Sequence, residues 1–181
     1  MVKKLQRKET LKKIKPVIWF FIIFNVLSIP MHLAIYMNFS IASFQIFLTN
    51  LSHRILDAFG YSSELVEHPL CPVKSMKFPE LTKPVCISWD STGWKSLYLI
   101  CALSFATPLA GYHKKSKFII LGVPTIFVLN ILRITTTIAI SINFGEQYFE
   151  VIHTLLWREA LIFAILGIWF IWLWKERHNI I

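Results

Sequence analysis

A single arginine restricts what this chain can fold into more than any other residue. Arg133 lies inside an apolar run, residues 118–144, that is long enough to span a bilayer. A guanidinium at that depth costs roughly 2.5–3.5 kcal/mol on insertion scales, so it should face a bundle interior and be kept for a use. The expected fold is therefore a set of helices packed around that cation. Composition agrees, because 55% of the 181 residues are hydrophobic, an excess that a water-soluble domain of this length rarely carries. The reading is one membrane-embedded domain over residues 1–181, with no separate soluble module.

The formal charge of +9 would suit nucleic acid, but its distribution argues otherwise. Lys3, Lys4, Arg7, Lys8, Lys12, Lys13 and Lys15 precede the first apolar run. Lys114, Lys115 and Lys117 sit between two others, and Lys175 and Arg177 follow the last. Flanking clusters of this kind anchor helices on the cytoplasmic side. No nucleic-acid recognition motif accompanies them, so nucleic acid is excluded as a partner. The six histidines show no paired ligand spacing, so neither a metal nor another cofactor is expected.

Four segments are each long enough to cross: residues 17–37, 94–112, 118–144 and 153–174. Pro30 should bend the first, Pro108 falls near the inner end of the second, and Pro124 is expected in the first turns of the third. The first run is longer than a signal-peptide core and no small-residue cleavage site follows it, so it reads as an uncleaved anchor. Four crossings place the basic segment 1–16, the 113–117 connection and the 175–178 tail all in the cytoplasm. Residues 40–60 mix Asn50, Ser52, His53, Arg54 and Asp57 with apolar positions at helical spacing, and read as an amphipathic helix lying at the outer surface. If this segment spanned instead, one basic cluster would fall on the wrong side. Residues 61–90 form an extracytoplasmic loop with four prolines, and Trp157, Trp172 and Trp174 suit an aromatic belt. The fold class is thus all-α: a polytopic membrane helical bundle of about four transmembrane helices plus an outer interfacial helix.

Cys71 and Cys86 fall in the outer loop, where a disulfide would persist and, by closing a short loop, would stabilise by about 3 kcal/mol. Two free thiols, or Cys86 as a nucleophile, are the alternatives. Cys101 reads as a small packing residue.

The topology brings three polar residues to one level. Ser91 precedes the second span, Arg133 lies past the middle of an outward-running third span, and His153 opens the fourth. A side-chain nucleophile, an imidazole and a cation suit acyl transfer: attack on a carbonyl, proton movement and oxyanion stabilisation. Thr92 and Gly93 would add backbone N–H donors at a helix start. Asn130, three residues before Arg133, shares its helix face and would orient Arg133 or the substrate. Each residue also has a simpler reading: Ser91 as a helix cap, Arg133 as an ion-pair partner or carboxylate clamp, His153 as an interfacial side chain. Lys95, four residues after Ser91, allows a Ser–Lys dyad but more simply places its ammonium among headgroups. Asp90 reads as a cap of the second helix. Arg158 is a second membrane-level cation, rotated away from His153, that merits a test.

Asp90-Ser91-Thr92-Gly93-Trp94-Lys95-Ser96 resembles the Cys-Thr-Gly motif of the archaeosortase/exosortase family. Asn130-Ile131-Leu132-Arg133-Ile134 is similar to that family's Asn-x-x-Arg motif, and His153 resembles its third position, which is His or Arg. The resemblance covers roughly residues 40–174. It implies a membrane transpeptidase or protease with an outward-facing site, in which Ser91, Arg133 and His153 are catalytic and Thr92, Gly93 and Asn130 supporting. Its substrate would be a C-terminal sorting signal (motif, transmembrane helix, basic tail) on a secreted or surface protein, and its proposed acceptor a membrane lipid. One position departs from the pattern: the family's nucleophile is Cys, and residue 91 is Ser. Such a chain would be slow or inactive and able to hold substrate. An intramembrane serine hydrolase or acyltransferase, and a non-enzymatic transport or assembly subunit, are the competing expectations.

Overall fold

The computed structural model describes residues 2–69, 71, 73–108, 111–145, 147–148 and 160–178. Most of them are helical. In chain order the elements are α1 (Val2–Tyr36), α2 (Ala42–Ala58), strands β1 (Glu64–Val66) and β2 (Ser75–Lys77), a 3-10 turn (Trp89–Thr92), α3 (Trp94–Ala106), α4 (Tyr112–Phe144) and α5 (Ala160–His178). Among the described residues, two helical stretches are long and apolar enough to cross a membrane, Ile14–Tyr36 and Tyr112–Phe144.

The second expected span is shorter than its sequence reading, and the fourth is described only in part. α3 is 13 residues long, about 20 Å at 1.5 Å per residue, against a hydrocarbon core of about 30 Å. Gly93 sets its start by adopting a left-handed conformation (φ 77°). Thr107 and Pro108 set its end, because a residue before proline is pushed out of helical geometry. Of the fourth, the segment 153–159 with His153, Trp157 and Arg158 lies outside the described residues, and α5 is described from Ala160. α4 begins at Tyr112 rather than near residue 118, so Pro124 sits in about its fourth turn. Gly111 O accepts the N–H groups of Lys114 and Lys115, which starts the helix inside the basic segment.

The chain divides into two compact units. The first comprises α1, most of α3, the start of α4 and most of α5. Tyr98 donates its hydroxyl to Leu27 O at 2.6 Å. Trp169 stacks on Phe20 with centroids 5.4 Å apart and donates Nε1–H to Thr107 Oγ1 at 3.0 Å. Phe118 and Trp172 stack at 4.4 Å, and Lys114 forms an ion pair with Glu176.

The second unit holds α2, the outer loop, the 3-10 turn, the remainder of α4 and the start of α5. Its core gathers Leu48 and Leu56 of α2, Met76, Phe78, Leu81 and Ile87 of the loop, and Ile131, Ile134 and Ile138 of α4. The loop is more ordered than its prolines suggest. β1 and β2 pair antiparallel, with Leu65 opposite Met76, and Met76 also exchanges two backbone hydrogen bonds with Val85. A disulfide joins Cys71 to Cys86, with Cα atoms 6.0 Å apart.

α2 buries a mixed face rather than an apolar one: Gln45, Leu48, Thr49, Ser52 and Leu56. Gln45 is tolerated there because its Nε2 donates to Ile87 O at 3.2 Å. Ile46, Phe47 and Phe59 remain exposed, 77% in the case of Phe59. Apolar side chains left outward are what a seat at an acyl-chain boundary would ask of this helix.

Candidate functional site

The site is built on the short turn Trp89–Thr92. Ser88 caps it: Ser91 N donates to Ser88 Oγ at 3.3 Å and to Ser88 O at 3.0 Å. The Ser88 and Ser91 hydroxyls share a further hydrogen bond at 2.9 Å. Thr92 donates its hydroxyl to Trp89 O at 2.7 Å and is fully buried. The Trp89 and Trp94 rings stack across the turn with centroids 5.6 Å apart. The outcome is a half-buried Ser91 on a backbone closed by its own side chains.

α4 holds this turn from the side. Asn130, 1% exposed, donates Nδ2–H to Thr92 O at 2.9 Å and, more weakly, to Ser91 O at 3.5 Å. Arg133, one helical turn on, donates Nη2–H to Ser91 O at 3.3 Å. Gly93 makes the approach possible. A Cβ there would stand 2.6 Å from Asn130 Cγ, and the backbone conformation at φ 77° disfavours any L side chain as well. Residues separated by about forty positions in sequence thus meet, and five of the candidate residues (Ser91, Thr92, Gly93, Asn130 and Arg133) share one location. His153 and Arg158 lie outside the described residues.

The arrangement revises several roles read from sequence. Asn130, read from sequence as orienting Arg133 or the substrate, binds the turn itself through main-chain carbonyls. Ser91 and Asp90, read from sequence as caps of the second helix, lie in a 3-10 turn that is itself capped by Ser88. Asp90 instead pairs with Lys95, Oδ1 to Nζ 2.7 Å, with both side chains substantially exposed. Lys95 also lies 6.0 Å from the Trp94 ring centroid. Its amine is thus held by a carboxylate at the surface, away from the role of a base for Ser91. Cys86 is engaged with Cys71 and offers no thiol.

Beside the cation, within the same unit, is an open cleft of about 210 Å³ lined by Leu129, Leu132, Arg133, Thr136, Ala160, Leu161 and Ala164. Its α5 wall carries alanines four residues apart, a low surface that a long apolar segment could lie against. The cleft was not legible in sequence, although the Ala-x-x-x-Ala spacing at its wall is a signal of close helix approach. Ser88 was also missed, and its spacing of three from Ser91 is that of a capped turn. Among the described residues no cluster of His, Cys, Asp or Glu is placed to hold a metal.

Chemically, the site offers a hydroxyl on a constrained turn, a guanidinium within hydrogen-bonding distance of that residue's carbonyl, and an apolar cleft leading away from the guanidinium. Comparison with known proteins returns no matching family model, no matching curated protein and no matching solved structure.

Proposed function

We propose that this chain is a membrane-embedded transpeptidase or protease of the archaeosortase/exosortase type, acting on a C-terminal sorting signal. The observation that carries the reading is the seat of the Ser91-Thr92-Gly93 turn on Asn130 and Arg133. The two motifs on which the family resemblance rests are in direct hydrogen-bonded contact, with Gly93 supplying the clearance.

In this reading the chain crosses the membrane four times with both termini in the cytoplasm and the site facing outward. The second crossing uses the 3-10 turn and the stretch after Ala106 to extend the short α3. The substrate's apolar helix lies along the cleft beside Leu132 and Ala164, which brings its scissile peptide to Ser91. The residue-91 side chain attacks the scissile carbonyl carbon, its proton passes to His153, and Arg133 stabilises the oxyanion. The C–N bond then breaks, the amine leaves with the proton held by His153, and an ester (a thioester where residue 91 is Cys) joins substrate to enzyme. A lipid nucleophile, or water, attacks that acyl group, and the residue-91 side chain regains its proton.

Ser at position 91 makes the first step slow, since a hydroxyl is a far weaker nucleophile than a thiolate at neutral pH. The test is co-expression of the Ser91→Cys chain with a secreted protein ending in motif, apolar helix and basic tail, reading the C-terminus by mass spectrometry. Ser91→Cys is expected to raise cleavage and His153→Ala to abolish it. Cleavage by Ser91→Ala would remove residue 91 from the mechanism. The identity of residue 91 favours one second reading, a serine hydrolase in which Ser91 is the working nucleophile. Strong labelling of Ser91 by a fluorophosphonate probe would select it.

A further inference from the structure

α1 presents a polar seam that the described residues leave uncovered. Ile18, Phe21, Asn25, Ser28, His32 and Ile35 recur at alternating spacings of three and four. That is the period that keeps two helices in contact along their length in a left-handed pair. Ile18 and Phe21 are more than half exposed, Ile35, Asn25 and His32 are exposed, and Ser28 is half-buried. The inward side of the helix is different: Phe20 stacks on Trp169, and the Leu27 carbonyl takes the Tyr98 hydroxyl. Pro16 and Pro30, fourteen residues apart, both fall opposite the seam, where their missing N–H groups and rings do not disturb it.

Three of the six seam residues are polar, in a helix long and apolar enough to cross a membrane. Each makes one bond to its own helix: Asn25 Nδ2–H to Phe21 O at 2.8 Å, Ser28 O–H to Phe24 O at 2.8 Å, and His32 Nδ1 with Ser28 O at 2.7 Å. Among the described residues this leaves the Asn25 carbonyl oxygen and second amide hydrogen, the Ser28 oxygen lone pairs and His32 Nε2 unused. Hydrocarbon offers such groups nothing, whereas a neighbouring helix does.

The chemistry of the seam selects the neighbour. Residues 16–36 contain no Asp, Glu, Lys or Arg, so no charge calls for an opposite one. Asn, Ser and His are each both donor and acceptor, so each can bond to its own counterpart. Two copies of one membrane protein share an orientation, and a two-fold axis along the membrane normal would set every seam residue against itself.

We propose that α1 is a dimerisation helix, through which two copies of this chain pair in parallel along Ile18, Phe21, Asn25, Ser28, His32 and Ile35. Asn25 sits where one polar residue fixes the register of such a pair. The pairing rests on α1 crossing the membrane and stands whether or not the chain is a transpeptidase.

The experiment is oxidative cross-linking of the full chain in native membranes, with Cys101→Ala as background. Single cysteines replace Phe21, Asn25, Ser28 and His32 on the seam, and Ile22, Val26, Ile29 and Leu33 beside it. Species of twice 21.1 kDa are expected at the first four positions and only faintly at the second four. In a second arm, Asn25→Val is compared with the unsubstituted chain by energy transfer between labelled copies in detergent. Valine keeps α1 apolar enough to insert, and the dissociation constant is expected to rise about tenfold, which corresponds to roughly 1.4 kcal/mol. Uniform cross-linking at all eight positions, cross-linking to a protein of another mass, or an unchanged dissociation constant overturns the pairing.

Discussion

The two long apolar helices both carry an asparagine with a second polar residue further along, and they treat those residues in opposite ways. In α4, Asn130 is buried and reaches a carbonyl 38 positions back in sequence, while Arg133 reaches one 42 positions back. In α1, Asn25 is exposed and, among the described residues, bonds only to the carbonyl four residues earlier. None of the α1 span is buried inside the fold, against 39% of the α4 span. A polar residue in an apolar helix therefore announces that a partner exists without saying whether its own chain supplies it. In α4 the partner is the Ser91–Thr92 turn of the same chain; in α1 none is found among the described residues, and our proposal leaves the seam to a second molecule.

The contrast is tested most strongly at Arg133. In a chain made active by Ser91→Cys, Arg133→Ala is expected to lower the cleavage rate by about 10²–10³-fold, the effect of removing one oxyanion donor. Arg133→Lys should fall in between, since an ammonium keeps the charge but loses the fork of donors. Equal activity of the Lys and Arg forms would mean that α4 supplies charge alone, and would break the assignment of the guanidinium to a defined hydrogen-bonding role.

Next in size is the same substitution made in both helices. Asn130→Val removes a buried donor to Thr92 O and is expected to cost about 1–3 kcal/mol. Asn25→Val, at an exposed position of the monomer, should change stability by less than about 0.5 kcal/mol. Unfolding of the monomeric detergent-solubilised protein, followed by denaturant titration, gives both. Equal losses would show that the two asparagines are not in different situations.

Much of this could be read before any coordinates. The helical character, the basic flanks and the inward reach of Arg133 follow from solvent cost and length, properties that a linear pattern carries. The gathering of Ser91, Thr92 and Gly93 near Arg133 is what the sequence reading expects, and it is observed. What sequence did not carry was contact. Asn130 shares a face with Arg133, which suits orienting it or a substrate, and its partner here is a main-chain carbonyl, which has no side-chain signature. β1 and β2 are three residues each, too short for an alternating pattern to register. The inward face of α2 was not legible for a related reason. Gln45 is buried because Ile87 O lies within its reach, a fact of tertiary structure that polarity patterns do not report.

Gly93→Ala sharpens the comparison at the backbone. The added methyl meets Asn130 Cγ at 2.6 Å and must hold φ near 77°, with left-handed strain alone worth roughly 1–2 kcal/mol. Pairing it with Asn130→Ala clears the collision but not the strain. The double variant should therefore lose less stability than the sum of the two single losses, a coupling that only residues in contact display. Strict additivity would mean that Asn130 does not press on the turn, and the seat of the turn on α4 would need another account.

The smallest expected effect is at Lys95, and it is informative because it is small. If Ser91 drew on a lysine base, Lys95→Ala would be as damaging as loss of the nucleophile itself. The Lys95 amine is instead 2.7 Å from Asp90 Oδ1 on an exposed side chain, 41% accessible, with Asp90 74% accessible. An ion pair open to water is worth less than about 1 kcal/mol and weakens further with salt. Lys95→Ala in the Ser91→Cys background should thus leave cleavage near its starting level and shift unfolding only slightly, with the shift vanishing at high ionic strength. A collapse of activity would move the proton-transfer group from the fourth segment to the head of α3. The contrast between a helix that serves the site and one that serves a second copy would then have to be redrawn around α3 instead of α4.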